Sequence, residues 1–166
     1  MKKIVLSLCI LIFACNVKAQ DVKRTFGIGF QSSLPVYGLS VKYALNTNSV
    51  VQATIAPFAS GDFKLNFYGG RYLYRFISDE SNKLDPYVYG GVGLISYTTP
   101  SYDMNTGAIT NKSNSFFSYS AGGGVEYSIA GALGLSLELG YGKLNVTNGD
   151  GVSGVFFGGG IHYYIK

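Results

Sequence analysis

In the segment LGLSLELGYG, residues 133–142, every second residue is large and apolar and the ones between are small or charged. Leu133, Leu135, Leu137, Leu139 and Tyr141 share one face of an extended chain, and Gly134, Ser136, Glu138, Gly140 and Gly142 share the other. Successive side chains of a strand point to opposite sides, so this period of two predicts a strand with two unlike faces. A helix would scatter the same leucines around its circumference.

The pattern recurs along the chain. Phe117, Tyr119, Ala121, Val125 and Tyr127 alternate with Ser118, Ser120, Gly122, Gly124, Glu126 and Ser128. Tyr37, Leu39, Val41, Tyr43 and Leu45 alternate with Gly38, Ser40, Lys42, Ala44 and Asn46. Tyr68, Tyr72, Tyr74 and Phe76 oppose Arg71 and Arg75, although Lys64 and Asn66 break the phase at one end. In PYVYGGVGLISYT, Tyr and Val occupy both faces and the orientation is open. The alternation predicts eight strands, over 24–31, 37–45, 49–57, 65–77, 86–98, 115–129, 133–145 and 152–165. Asn46-Thr47-Asn48 and Ala130-Gly131-Ala132 read as tight turns, and 99–114 reads as the longest loop. An even number of strands, with tight turns at one end and longer loops at the other, is the plan of a bacterial outer-membrane barrel.

Residues 1–19 stand apart. Lys2 and Lys3 precede an apolar run from Ile4 to Ala14, and Val17-Lys18-Ala19 supplies a small-residue cleavage pattern. These are the parts of a secretory signal peptide, so the expected domains are a signal over 1–19 and a barrel over 20–166. A second reading takes Ile12-Phe13-Ala14-Cys15 as a lipoprotein signal with a lipidated Cys15. Cleavage after Ala19 would remove Cys9 and Cys15 and leave no thiol chemistry. It would also remove Lys2, Lys3 and Lys18, leaving 10 basic against 9 acidic residues. A net charge of that size gives no electrostatic footprint for nucleic acid, and none is expected as a partner. The remaining 147 residues carry 19 charges, about half the share typical of a soluble domain.

Two barrels could use such strands. A lipocalin-like barrel turns its apolar face inward around a ligand, and a membrane barrel turns it outward. The small face here is Gly and Ser with rare charges, which suits a crowded interior better than a solvated surface. A closed barrel also leaves no unpaired edge in lipid. The expected fold is therefore all-β, an eight-stranded antiparallel up-and-down transmembrane β-barrel, with the secreted lipocalin-like binder as the competing reading.

Glu126 and Glu138 are the chemically conspicuous residues. With Ala130-Gly131-Ala132 as a three-residue turn, Glu126 falls opposite Ser136 and Glu138 opposite Gly124, so both carboxylates point into the lumen. An eight-stranded barrel has an interior that side chains just fill, and buried charges demand partners. Arg71, Arg75 and Lys42 lie on inward faces and are long enough to reach across. The expectation is an internal charge network of Lys42, Arg71, Arg75, Glu126, Glu138 and His162, the single histidine, rather than an acid/base pair. An open site with a nucleophile or a positioned water, as catalysis needs, is not visible in the pattern.

The segments YVYGGVGLISY, FFSYSAGGGVEYSI, LGLSLELGYG and GVFFGGGIHYYIK resemble the small OmpA/OmpX-like outer-membrane β-barrel domains of Gram-negative bacteria, across essentially the whole chain after residue 19. The resemblance implies residence in the cell outer membrane and insertion by the outer-membrane assembly machinery, which reads an alternating last strand. Ile161, Tyr163 and Ile165 supply that alternation. The chain departs from the family at its end, closing on Ile165-Lys166 where an aromatic residue is usual.

No enzymatic activity, cofactor or metal is expected, and the partners are outer-membrane lipid and the assembly machinery, with a monomer as the expected state. Work would be structural, or adhesive through loop 99–114, where Tyr102, Asp103, Met104 and Ile109 stand in polar surroundings. A narrow porin for small solutes and a lipid-modifying enzyme are the alternatives.

Overall fold

The computed structural model describes residues 24–60, 63–76, 83–102, 109–145 and 151–165. The expected signal segment, Asp103 and Met104 lie outside them. The described residues form eight strands: β1 (Phe26–Ser33), β2 (Val36–Ala44), β3 (Ser49–Ser60), β4 (Phe63–Arg75), β5 (Leu84–Tyr102), β6 (Ile109–Ile129), β7 (Leu133–Asn145) and β8 (Gly151–Ile165). Each pairs antiparallel with its neighbours, and β1 closes on β8, making a barrel without a free sheet edge along its lower half.

Turn chemistry sets the register. The side-chain oxygen of Asn46 accepts from the backbone of Asn48 at 3.0 Å and Ser49 at 2.7 Å, an Asx turn between β2 and β3. Between β6 and β7, Ala130 (φ 50°) and Gly131 (φ 73°) take left-handed conformations, and Ile129 pairs with Leu133. That register puts Glu126 opposite Ser136 and Glu138 opposite Gly124.

The apolar face is outside. Leu39, Val41, Ile55, Tyr72, Leu94, Tyr119, Leu137 and Tyr163 all lie exposed on the wall, Leu137 at 73%. The polar face is inside, with Lys42, Gln52, Arg71, Arg75, Asp85, Glu126, Glu138 and His162 all buried. Among the charged side chains whose exposure is described, Lys64 and Lys83 are the exposed ones, one at each end of the barrel. β5, whose orientation the sequence left open, turns Tyr87 and Tyr89 inward and Val88, Val92 and Leu94 outward. The lumen's charged groups give the inward tyrosines something to face.

Several strand limits differ from the sequence reading: β3 runs on to Ser60, and β4 spans Phe63–Arg75 rather than 65–77. The β5–β6 ladder continues through Thr98↔Ser113 and Pro100↔Asn111 to Tyr102↔Ile109, so most of 99–114 is paired strand rather than loop. Beyond the apolar belt both faces of this hairpin are polar, and the alternation that marks a strand in sequence is lost although the backbone ladder is not. At the other end β1 begins at Phe26, and Arg24 sits before it with its side chain drawn toward the lumen.

Candidate functional site: the filled lumen

Four layers fill the barrel. Nearest the end that carries the strand termini, Lys42 on β2 reaches Glu126 on β6, Nζ to Oε2 2.6 Å. Tyr164 on β8 donates its hydroxyl to both oxygens of Glu126, at 2.7 and 2.9 Å. Arg24 closes this end. Its Nη1 lies 3.2 Å from Asp85 Oδ2 and 3.8 Å from Glu126 Oε1, its Nη2 donates to Ser128, and its guanidinium lies over the Tyr164 ring. Arg75 is buried on the same side, within electrostatic reach of Asp85 and Glu126.

The second layer is uncharged. Gln52 on β3 donates to Ser40 at 2.5 Å, and His162 Nε2 lies 2.8 Å from the same hydroxyl. His162 is fully buried here, with its Nδ1 finding no protein partner among the described residues.

In the third layer Arg71 on β4 meets Glu138 on β7 through two parallel hydrogen bonds, Nη1–Oε2 at 2.7 Å and Nη2–Oε1 at 2.6 Å. This fork-to-fork geometry is the strongest form of the pair. Tyr87 donates to Glu138 Oε1 at 2.5 Å, Arg71 Nε donates to Gln52 Oε1 at 2.6 Å, and the guanidinium stacks 4.8 Å from the Tyr89 ring centroid. Gly124, directly across from Glu138, makes room: a Cβ there would stand 2.9 Å from both Glu138 Cγ and Tyr87 Cζ.

The fourth layer is backbone. β1 and β2 are joined by Leu34 and Pro35 alone, since Ser33 pairs with Val36. β2 parts from β3 beyond Leu39↔Ile55, at Gly38, whose φ of 107° and close approach to Ala56 leave no room for a side chain. The turn tips into the barrel: Ser120 on β6 donates to the Leu34 carbonyl at 2.8 Å, and Pro35 and Val36 are buried. Gly69 and Gly93 lie against Pro35, where a Cβ would come within 3.1 Å and 2.7 Å of its carbonyl oxygen.

The six lumen residues named from the sequence all face inward, and Gln52, bonded to both Arg71 and Ser40, links the Arg71–Glu138 pair to the layer that holds His162. Lys42 joins Glu126, Arg71 joins Glu138, and the Ser40–Gln52–His162 layer lies between. Sequence reasoning passed over Arg24, Asp85, Gln52, Tyr87 and Tyr164. Gln52 did carry a signal, alternating with Thr54 against Val51, Ala53 and Ile55 in the run VVQATI. The tyrosines carried none, because an amphipathic ring is equally at home on either face. Among the described residues no three His, Cys, Asp or Glu side chains gather as a metal site. The backbones of Tyr102 and Ile109 pair with each other in the outermost rung of the β5–β6 hairpin, and Ile161, Tyr163 and Ile165 point outward on β8.

The same fold is found in the N-terminal β-barrel domain of Pseudomonas aeruginosa OprF, at 16% identity and a TM-score of 0.56, over 84% of this chain and 95% of that one. Neisserial surface protein A (NspA) is similar as well, at 19% identity and a TM-score of 0.52, over 84% of this chain and 93% of that one. No family model and no curated protein matches the sequence. At these identities the likeness is one of fold, that of a closed eight-stranded antiparallel β-barrel.

Proposed function

We propose that this chain is an integral outer-membrane protein, a barrel plugged by its own side chains that works as a structural or adhesive element through what its loop end presents. One observation carries the reading: large apolar side chains cover the wall while, among the described residues, charges are inside or at the two ends. A monomeric soluble protein rarely exposes a contiguous apolar patch beyond several hundred Å2, whereas lipid demands such a surface and a closed backbone ladder.

The filled lumen favours a plug over a narrow porin. Paired charges, the Ser40–Gln52–His162 layer and the inward-tipped turn lie one above another along the axis. The lumen carboxylates favour structure over catalysis, since each is held by a cation and a tyrosine. Contacts would then come from the β5–β6 hairpin and the residues between its strands, including Tyr102, Asp103, Met104 and Ile109. Ile161, Tyr163 and Ile165 would be read by the outer-membrane assembly machinery.

Gel mobility of the detergent-extracted protein, unboiled against boiled, tests the membrane barrel, and planar-bilayer recording tests the plug. The expected results are a mobility shift and no conductance steps. Recovery from the soluble fraction without detergent overturns the membrane reading, and steady steps turn the reading to a porin.

A further inference from the structure

The barrel wall is not of even height. β1 and β2 stop early: the β1–β8 ladder ends at Ser32↔Gly159 and the β2–β3 ladder at Leu39↔Ile55. Their outer neighbours continue, β8 paired with β7 up to Asn145↔Gly151 and β3 paired with β4 up to Ser60↔Phe63. Above the Leu34-Pro35 turn the wall therefore has a gap the width of two strands, open sideways between β3 and β8.

Side chains register the gap. Phe58 and Phe67 have the inward phase of β3 and β4, yet both meet Tyr37, which comes from the outer face of β2, at centroid distances of 6.1 and 5.4 Å. Inner and outer faces touch only because no strand stands between them. On the far side Phe157 of β8 is 83% exposed. A cavity of about 210 Å3 occupies the gap, floored by Ser32, Ser33, Leu34 and Pro35 and walled by Tyr37, Phe67 and Phe157. None of its lining residues is charged.

We propose that this lateral notch is a binding site for one acyl chain of an outer-leaflet lipid, an inference that rests on the membrane reading above. The notch opens onto the apolar belt and is continuous with it through Phe30, which packs edge-on against Tyr37 at 5.6 Å. What reaches such an opening from the side is hydrocarbon. The floor is the inward-tipped turn, so the notch is a dead end and not a passage into the ion-paired lumen. Its volume suits part of a single chain and excludes a helix. An aromatic wall around an uncharged hollow offers an acyl chain close contacts on several sides, where a smooth barrel offers one.

The protein contains no tryptophan, so a single introduced tryptophan reports alone. Phe67→Trp would be reconstituted in phosphatidylcholine vesicles with plain or dibrominated acyl chains, bromine quenching the indole on contact. Leu137→Trp, on the outer wall, is the lipid-facing reference, and Tyr89→Trp, inside the lumen, the enclosed one. The expected result is a loss of emission from Phe67→Trp comparable with that of Leu137→Trp, abolished when Ser32→Phe fills the notch. Quenching no greater than that of Tyr89→Trp, or quenching that survives Ser32→Phe, overturns the proposal. So does an unquenched Phe67→Trp in a protein that runs as a dimer, since a second copy would then cover the gap. Should Leu137→Trp itself escape quenching, the membrane reading fails and not the notch alone. Each variant is checked for the gel mobility shift, and Phe58→Trp substitutes where Phe67→Trp does not fold.

Discussion

Arg71 and Glu138, on β4 and β7, meet across the lumen in a bidentate pair whose side chains are both completely enclosed, Nη2 to Oε1 2.6 Å. Two strands separate β4 from β7, so the pair ties opposite walls of the barrel and not neighbours. Its consequences differ according to whether one partner or both are removed.

Glu138→Ala leaves the Arg71 guanidinium buried without its carboxylate. Breaking a buried pair from one side is expected to lower stability by about 3–5 kcal/mol. Replacing both, as Arg71→Leu with Glu138→Leu, is expected to be less damaging than Glu138→Ala alone, because no charge is stranded. Urea unfolding of the barrel from lipid vesicles checks both; a double variant weaker than the single one sinks the argument.

Tyr87→Phe removes one hydrogen bond to Glu138 and keeps the ring. A bond to a charged group is expected to be worth about 1.5–3 kcal/mol, and the same unfolding assay reads it. No change would mean that Arg71 alone satisfies the carboxylate.

Glycines on the two faces are predicted to differ in tolerance. A Cβ at Gly134 would stand 2.9 Å from the Glu126 carboxyl and 2.9 Å from the Tyr164 ring, groups that Lys42 and Arg24 hold in place. Gly134→Val should lose about 1–3 kcal/mol by overpacking. At Gly90, on the outer face, a Cβ meets nothing within 4 Å. Gly90→Val should be neutral or slightly stabilising, given the preference of strands for β-branched residues. The yield of heat-shiftable barrel for the two variants, side by side, decides it.

Leu137 lies near the middle of β7 and Val155 nearer the loop end of β8, and both are exposed on the outward phase of their strands. In a bilayer, Leu137→Arg should be destabilising by about 2–4 kcal/mol and Val155→Arg by less, falling toward about 0–1 kcal/mol at the interface. Equal effects at the two depths would argue against a membrane-spanning wall.

The lumen is blocked in more than one layer, so weakening one should not open it. Arg71→Ser with Glu138→Ser leaves the Lys42–Glu126 cluster below and the Leu34-Pro35 turn above. Bilayer recordings of this variant are expected to stay silent. Steps appearing on that change alone would place the whole seal at one ion pair.

By itself the sequence determined the strands of the apolar belt, the outward faces of β2, β4, β6 and β7, and the two tight turns with the register between β6 and β7. These follow from a period of two and from local turn chemistry, and neither needs knowledge of a distant residue. The inward direction of Lys42, Arg71, Arg75, Glu126, Glu138 and His162 was legible for the same reason. Which cation meets which carboxylate was decided by tertiary structure, because that depends on the stagger of eight strands around a closed ring. The inward tyrosines of β5, the recruitment of Arg24 and the paired reach of β5 and β6 into polar sequence were likewise decided there. So was the notch. Nothing in the residues of β1 or β2 says that their neighbours will outrun them; only the ladders on either side, compared at one height of the barrel, expose the gap.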